Sequence, residues 1–236
     1  MPKKPAAGSK KGPNRNLLIA LVAGAAVVAA VVIGGLLLGG GDDAVDASSA
    51  AYLDGIPQKR AELGNPDATV TLITFEDIQC PVCKTWTEEG QPDVVAEYVE
   101  PGKVKMRFAG LAFLGSDSEK ALRYALAAGE QGKLWQYTEL LYANQGPENS
   151  GWVSDDLLEQ IAAALALDWA QLQEDAESAV VSQQITSMSN EAAQKEVQGT
   201  PSFFVQVGDE EAYQVQPTSF SVEAFRPILD DALGGS

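Results

Sequence analysis

Apolar residues fill one uninterrupted stretch near the start of the chain. Residues 17–38 carry no polar side chain, and five cations but no acid precede them. As a helix rising about 1.5 Å per residue, this stretch measures roughly 33 Å, enough for a hydrocarbon core of roughly 30 Å. The pattern therefore predicts a transmembrane helix over 17–38.

The flanking charges orient this segment. A basic tail, residues 1–16, places the N-terminus in the cytoplasm and everything after residue 38 outside. The expected protein is a single-pass cell-membrane protein with a signal-anchor. A cleaved signal peptide is the alternative, but its apolar region usually has only about 7–15 residues. The small residues at 49–51 also lie far from the apolar end.

After the apolar stretch, the pattern indicates a linker and then a strand, a helix and a second strand. Residues 39–53 are glycine-rich, then acidic and small, which predicts a flexible linker. Residues 69–75 are β-branched and aromatic, which predicts a strand buried on both faces. A helix is expected up to Val99, with Pro92 bending or interrupting it. Residues 104–109 alternate as a second strand.

Helical periodicity dominates the middle of the chain, residues 116–197. Ser116 and Glu119 have the spacing of a capping box. Ser154 and Asp168 are predicted to cap two further helices. No internal repeat is evident.

Strand signals return near the C-terminus. Residues 202–207 and 213–215 predict a hairpin, and an amphipathic helix follows over 222–233. A strand, helix and strand at the start favour a parallel pair. The fold class is therefore α/β, with one domain formed by 54–115 and 198–234 and interrupted by the helical block.

Composition excludes several kinds of chemistry. The 236 residues include no histidine and two cysteines, and the net charge is -17. Without histidine there is no Ser-His-Asp or Cys-His catalysis and no histidine-ligated metal. The acidic balance argues against binding to nucleic acid. We expect no cofactor and no metal.

The two cysteines are the candidate chemistry. Cys80 and Cys83 follow a predicted strand and open a predicted helix, with Pro81 at the first helical position. Unpaired N–H groups there favour a thiolate. Cys80 would be the nucleophile that forms a mixed disulfide, and Cys83 would resolve it.

Other interpretations of this pair stay open. A static structural disulfide needs only the spacing. A metal site would need two further ligands, and neither histidine nor another cysteine is available. Two permanently reduced core thiols are disfavoured outside the cytoplasm.

Four motifs together resemble the thioredoxin superfamily, and its DsbA-like branch above all. They are Gly64-Asn65-Pro66-Asp67-Ala68, Phe75-x-Asp77-x-Gln79-Cys80-Pro81-x-Cys83, Gly132-Lys133-Leu134-Trp135 and Val197-x-Gly199-Thr200-Pro201-Ser202-Phe203-Phe204. The resemblance spans nearly all of residues 54–234. It implies a thioredoxin fold with an inserted all-helical domain, preceded here by the transmembrane helix.

The resemblance also implies a function. Pro201 is expected to be cis and to face the cysteine pair, and the Thr200 hydroxyl is a candidate to tune the pKa of Cys80. The implied activity is an extracytoplasmic dithiol-disulfide oxidase that acts on unfolded exported proteins. A membrane reoxidase of DsbB or VKOR type is the implied partner. A thiol reductase or isomerase, and a tethered binding module with a static disulfide, are the alternatives.

The chain departs from the family pattern at two positions. Many DsbA-like proteins carry a histidine between the cysteines, where this chain has Val82. We therefore expect a less oxidising pair, between roughly -120 and -270 mV. The family often has a buried acid six residues before the first cysteine, where this chain has Thr74. Water, Glu76 or Asp77 would have to replace that acid.

Overall fold

Three long strands form the centre of a mixed sheet. A computed structural model describes residues 45–234. Strand β3, Val70–Asp77, has all eight residues buried. On one side it pairs in parallel with β4, Val104–Leu111, and on the other it pairs antiparallel with β5, Ser202–Val207. The predicted strand buried on both faces and the predicted parallel pair are confirmed.

Short strands extend the sheet at both edges. Strands β1, Gln58–Lys59, and β2, Glu62–Leu63, form a small hairpin, and β2 pairs with β4. Strand β6, Tyr213–Val215, pairs antiparallel with β5 and confirms the predicted hairpin. The spatial order is β1-β2-β4-β3-β5-β6. Strands of two residues are too short to show a period of two, so the sequence did not reveal β1 and β2.

The helix after the cysteines is interrupted by wider turns. Helix α1, Pro81–Thr85, is followed by a π turn over Trp86–Gly90, and helix α2, Gln91–Val94, by another over Val95–Val99. Pro92 lies within the first two positions of α2. A proline is tolerated in a first turn because its missing N–H would have no intrahelical partner there. The helix is thus interrupted just before Pro92.

Five helices lie between β4 and β5. They are α3 Ser116–Glu130, α4 Leu134–Ala143, α5 Asp155–Ala164, α6 Trp169–Ala176 and α7 Ala179–Gln194. The last of them is tied to the sheet by an ion pair between Arg107 on β4 and Glu191, 2.6 Å apart. Helix α8, Val222–Gly234, closes the chain.

The predicted helix caps have mixed outcomes. Ser154 accepts a hydrogen bond from the Leu157 N–H, and Asp168 accepts one from the Gln171 N–H, so both N-caps are confirmed. The capping box is wrong. Helix α3 begins at Ser116 itself, after Gly115 with φ of 125°, a backbone conformation that favours glycine. Glu119 instead pairs with Arg123.

The predicted flexible linker over 39–53 is wrong in its last part. Ala47–Leu53 forms a 3-10 helix, and Ala50 and Leu53 are buried. The Tyr52 hydroxyl donates to Glu139 on α4 at 2.8 Å. Only two of the seven residues are buried. A segment with so few buried positions shows no apolar period in its sequence, so the pattern did not predict this helix.

The predicted transmembrane helix over 17–38 lies outside the described residues. Within 45–234, no helix combines the length and apolarity that a bilayer crossing requires. The basic tail over 1–16 and the first residues of the predicted linker also lie outside this range.

Candidate active site

The reactive pair lies where the central strand gives way to a helix. A turn after β3, closed by a hydrogen bond from the Cys80 N–H to the Asp77 carbonyl, brings Cys80 to the cap position of α1. Pro81 occupies the first helical turn, and the Cys80 carbonyl accepts the Lys84 N–H at 3.1 Å. The predicted strand-turn-helix context of the pair is therefore present.

The structure brings the predicted site residues together from distant parts of the chain. Both cysteines are free thiols. Cys83 is fully buried, and 8% of Cys80 is exposed. The Cys80 Sγ donates to the Thr200 carbonyl oxygen at 3.3 Å, and the Thr200–Pro201 peptide bond is cis. The cis bond is the isomer that the resemblance implies, and the segment carrying it contacts the outer cysteine.

Hydrogen bonds favour the thiolate of Cys80. The bond from the Cys83 thiol lowers the pKa of Cys80 most, and the Thr200 side chain and the N–H groups of Cys83 and Val82 add to it. Burial acts in the opposite direction. The result is a Cys80 pKa of about 5, against an ordinary value of 9.0.

The inner cysteine is shifted the other way. Burial raises the pKa of Cys83 far above its ordinary value, and the bond to Cys80 and the charge of Glu76 add to the increase. One thiol of the pair is therefore ionised at neutral pH while the other holds its proton. An ionised thiol is the attacking and the leaving species in disulfide exchange.

A buried acid lies near the pair at a position that the family pattern does not predict. Glu76 is 1% exposed, and its Oε2 accepts the Tyr142 hydroxyl at 3.0 Å. Burial raises the pKa of Glu76 to about 7, although hydrogen bonding from the side chains of Thr74, Tyr142 and Trp86 opposes the shift.

Strand geometry explains why Glu76 could have been found from the sequence. Side chains alternate between the faces of a strand, so residues 74 and 76 of β3 share one face. The acid that the family often has at position 74 is replaced here by an acid two residues closer to Cys80. Counting by twos from Thr74 selects Glu76 over Asp77.

Asp77, on the opposite face, is saturated with donors. Its carboxylate accepts the N–H groups of Phe113 and Leu114 at 2.7 and 3.0 Å, the Ser118 hydroxyl at 2.6 Å and the Gln79 N–H at 2.9 Å. These bonds fasten the loop after β4 to the residues just before Cys80.

Residues of the loop after α4 hold the segment that precedes and includes Cys80. Gln145 donates to the carbonyls of Ile78 and Cys80 at 2.6 and 3.3 Å. The Asn149 N–H donates to the Gln79 side chain at 2.6 Å. These residues lie about 65–70 positions from their partners along the chain, and no local signal marks them.

Comparison with known proteins decides the family. The sequence profile described as thioredoxin matches residues 57–231.

The chain belongs to the thioredoxin family.

Relatives within this family are named for disulfide chemistry. The chain is 32% identical over 147 residues to the probable disulfide bond formation protein D of Bacillus cereus, which covers 61% of this chain and 68% of the relative. It is 29% identical over 149 residues to disulfide bond formation protein D of Bacillus subtilis, covering 61% and 66%.

Solved structures show the same fold. Oxidised BdbD from Bacillus subtilis superposes with a TM-score of 0.65 at 22% identity, covering 77% of this chain and 100% of that chain. Within the thioredoxin family, this chain is a DsbA-like thiol-disulfide oxidoreductase. Its resemblance to that branch, first seen in four sequence motifs, is confirmed.

Proposed function

We propose that this chain introduces disulfide bonds into proteins exported across the cell membrane. The observation that carries the proposal is the geometry of the pair: Cys80 at a helix start with 8% of its surface exposed, Cys83 fully buried one turn inside, and the Thr200–Pro201 segment against Cys80. The low pKa of Cys80 makes its sulfur a good leaving group. Relatives named for disulfide bond formation support this direction.

The proposed exchange has two steps. A thiolate of the client protein attacks the Sγ of Cys80 in the oxidised pair, the bond between the two sulfurs breaks, and Cys83 leaves with the electron pair and takes a proton. A second client thiolate then attacks the client sulfur of this mixed disulfide, and Cys80 leaves as a thiolate. The client gains a disulfide, and two electrons pass to the pair.

Glu76 is the proposed proton donor for Cys83. Its pKa of about 7 lets it both hold and release a proton at neutral pH. The charge of Glu76 raises the pKa of Cys83, which supports a role for Glu76 in the proton transfer. Asp77 is unsuited because four donors already occupy its carboxylate. The same route in reverse would take the proton away when the pair is reoxidised.

The surroundings of the enzyme follow from the N-terminal sequence and the resemblance. Residues 17–38 would anchor it with the catalytic part outside the cell membrane. Clients would be unfolded chains lying along the Pro201 segment in strand-like pairing. An integral-membrane, quinone-linked reoxidase of DsbB or VKOR type would remove the two electrons.

A trapping experiment tests the proposal. In cells, the Cys83→Ala variant should accumulate client proteins joined through Cys80, because the Cys80 thiolate can attack a client disulfide and no Cys83 thiolate remains to break the resulting mixed disulfide. The Cys80→Ser, Cys83→Ala double variant is the matched control and should trap none. If the single variant traps nothing either, the pair is a static disulfide and the chain is a binding module.

A second measurement separates an oxidase from a reductase or isomerase. The potential of the pair is measured against a glutathione buffer. A potential well above that of glutathione supports the oxidase. A potential near the roughly -270 mV of thioredoxin identifies a reductase and overturns the proposed direction.

A further inference from the structure

A cavity of about 510 Å³ opens directly beside Cys80. One wall is the loop after β4, with Phe113 and Leu114, and the opposite wall is the segment 197–200, which ends at Thr200. Cys80 itself lies at the edge of the cavity. A chain joined to this sulfur can therefore place the residues beside its cysteine in this space.

Phe113 is an exposed aromatic residue on a loop whose backbone is bound by the buried Asp77 side chain. It is 55% exposed, although its backbone N–H is bound by the Asp77 carboxylate at 2.7 Å. A buried carboxylate is costly unless donors surround it, so its bonds to the loop fix the loop position. The ring is thus presented to solvent from a rigid support, with Leu114 and Val197 as further apolar lining.

The charge in this cavity has one sign. Glu148 is the ionisable carboxylate among its lining residues, and no lysine or arginine lines it. Glu148 is exposed and forms no ion pair within residues 45–234. A cation in the bound segment would meet an unpaired carboxylate, whereas an anion would be repelled.

We propose that this cavity selects the client segment next to the reacting cysteine, and that it prefers an apolar residue followed or preceded by a basic one. The occupant is an extended segment of a client chain, with its apolar side chain against Phe113 and its cation near Glu148. The selection rests on the proposed function, because the client arrives through its bond to Cys80.

Four single-cysteine peptides test this selection with the oxidised full-length protein. They carry Leu-Lys, Leu-Glu, Ser-Lys or Ser-Glu beside the cysteine, and a second set of four carries the same pairs in reverse order. The rate of mixed-disulfide formation is measured at low salt. The Leu-Lys peptide should react fastest. The lysine peptides should exceed the glutamate peptides by about twofold to fivefold, as for an exposed ion pair, and salt should reduce this ratio.

Variants assign the preference to individual residues. In Glu148→Gln, lysine and glutamate peptides should react at equal rates. In Glu148→Lys, glutamate peptides should react faster than lysine peptides. Phe113→Ala should reduce the ratio between leucine and serine peptides. Two matched controls, Glu159→Gln for an exposed acid on α5 and Tyr213→Ala for an exposed aromatic on β6, should change neither ratio.

The outcomes separate the two proposals. Equal rates with all peptides, or ratios unchanged in the Glu148 and Phe113 variants, would overturn the selection and leave the oxidoreductase intact. Failure of the oxidised wild-type protein to form a mixed disulfide with any of the peptides and to be reduced by dithiothreitol would overturn the proposed function itself.

Discussion

The Sγ of Cys80 lies 3.3 Å from the carbonyl oxygen of Thr200, a residue 120 positions further along the chain. A carbonyl can accept a hydrogen bond from the thiol but not from the thiolate. When Cys80 loses its proton, the sulfur relies on the Cys83 thiol, the Thr200 side chain and the N–H groups at the start of α1. Under the proposed function, the freed carbonyl would be available to accept a hydrogen bond from the backbone of a client chain joined to Cys80.

The reduced protein should show a thiol that titrates near pH 5. The Cys83 thiol is the first cause of the lowered Cys80 pKa, so Cys83→Ala should raise this value, and Cys80→Ser should abolish the transition. Ultraviolet absorbance of the thiolate measures all three. A transition of the wild-type protein near the ordinary value of 9.0 would contradict the arrangement of donors.

Stability of the reduced protein should depend on pH through the same group. The Cys80 pKa is 9.0 in its ordinary state and about 5 when folded, so the unfolded chain binds more protons between these values. The contribution of the thiolate is full above pH 9, shrinks as the pH falls, and is lost below about 5. Urea unfolding of the reduced wild type and of Cys80→Ala, compared across this window, measures it. A difference that does not change with pH would rule the linkage out.

The reduction potential should lie between roughly -120 and -270 mV and, for the proposed oxidase, well above the lower end of this interval. A Cys80 pKa of about 5 lies between the roughly 3.5 of DsbA and the roughly 7 of thioredoxin, and a lower pKa stabilises the reduced form. Equilibration with glutathione, followed by alkylation of the remaining thiols, gives the value. A potential outside this interval would show that the groups donating hydrogen bonds to the Cys80 thiolate do not control the reduction potential of the pair.

Glu76→Gln should slow the release of a thiol from the Cys80 mixed disulfide by Cys83. Loss of a proton-transfer group reduces rates by about 10²-fold or more, and the inflection near pH 7 in the rate profile should disappear. Glu76→Asp, which keeps the carboxyl, should restore part of the rate and the inflection.

The matched control for Glu76 is Glu139→Gln. Glu139 is also a buried acid, and burial raises its pKa to about 8, but it is bonded to Tyr52. This variant should keep the inflection near pH 7. Unchanged profiles in both variants would mean that water serves Cys83 instead.

Asp77→Asn should destabilise the fold by about 2 kcal/mol or more. The amide presents a donor to the N–H groups that the carboxylate binds, and buried donors without a partner cost about 1–3 kcal/mol each. Urea unfolding against Asp67→Asn, an exposed acid, gives the difference. Equal stabilities would show that the loop finds other acceptors.

Deletion of residues 1–38 should release the protein from the membrane fraction of cells while leaving its thiol chemistry intact. Fractionation followed by alkylation of the two cysteines tests both parts. A truncated protein that stays with the membrane would place the attachment elsewhere. If cells that express the complete sequence yield a protein without residues 1–38, those residues are a cleaved signal peptide.

Local patterns revealed most of the fold in this protein. The all-buried β3, the parallel β4 and the hairpin of β5 with β6 follow from runs of apolar and β-branched residues long enough to show a period. The strand-to-helix position of Cys80 and Cys83 follows from the same local order. The 3-10 helix over Ala47–Leu53 shows no such period in its sequence. It is held by contacts with α4, which no local pattern reveals.

The sequence by itself determined the chemistry. It has two cysteines one helical turn apart, no histidine that could serve as a catalytic base or a metal ligand, and a proline just before β5. Tertiary structure alone decided which groups act on these sulfurs. The Thr200 carbonyl, the Tyr142 hydroxyl on Glu76 and the Gln145 amide are brought to the site by strand pairing and helix packing over 65 to 120 residues. Hydrogen bonds and burial act over a few ångströms of space, and distance along a chain does not reveal which groups will share that space.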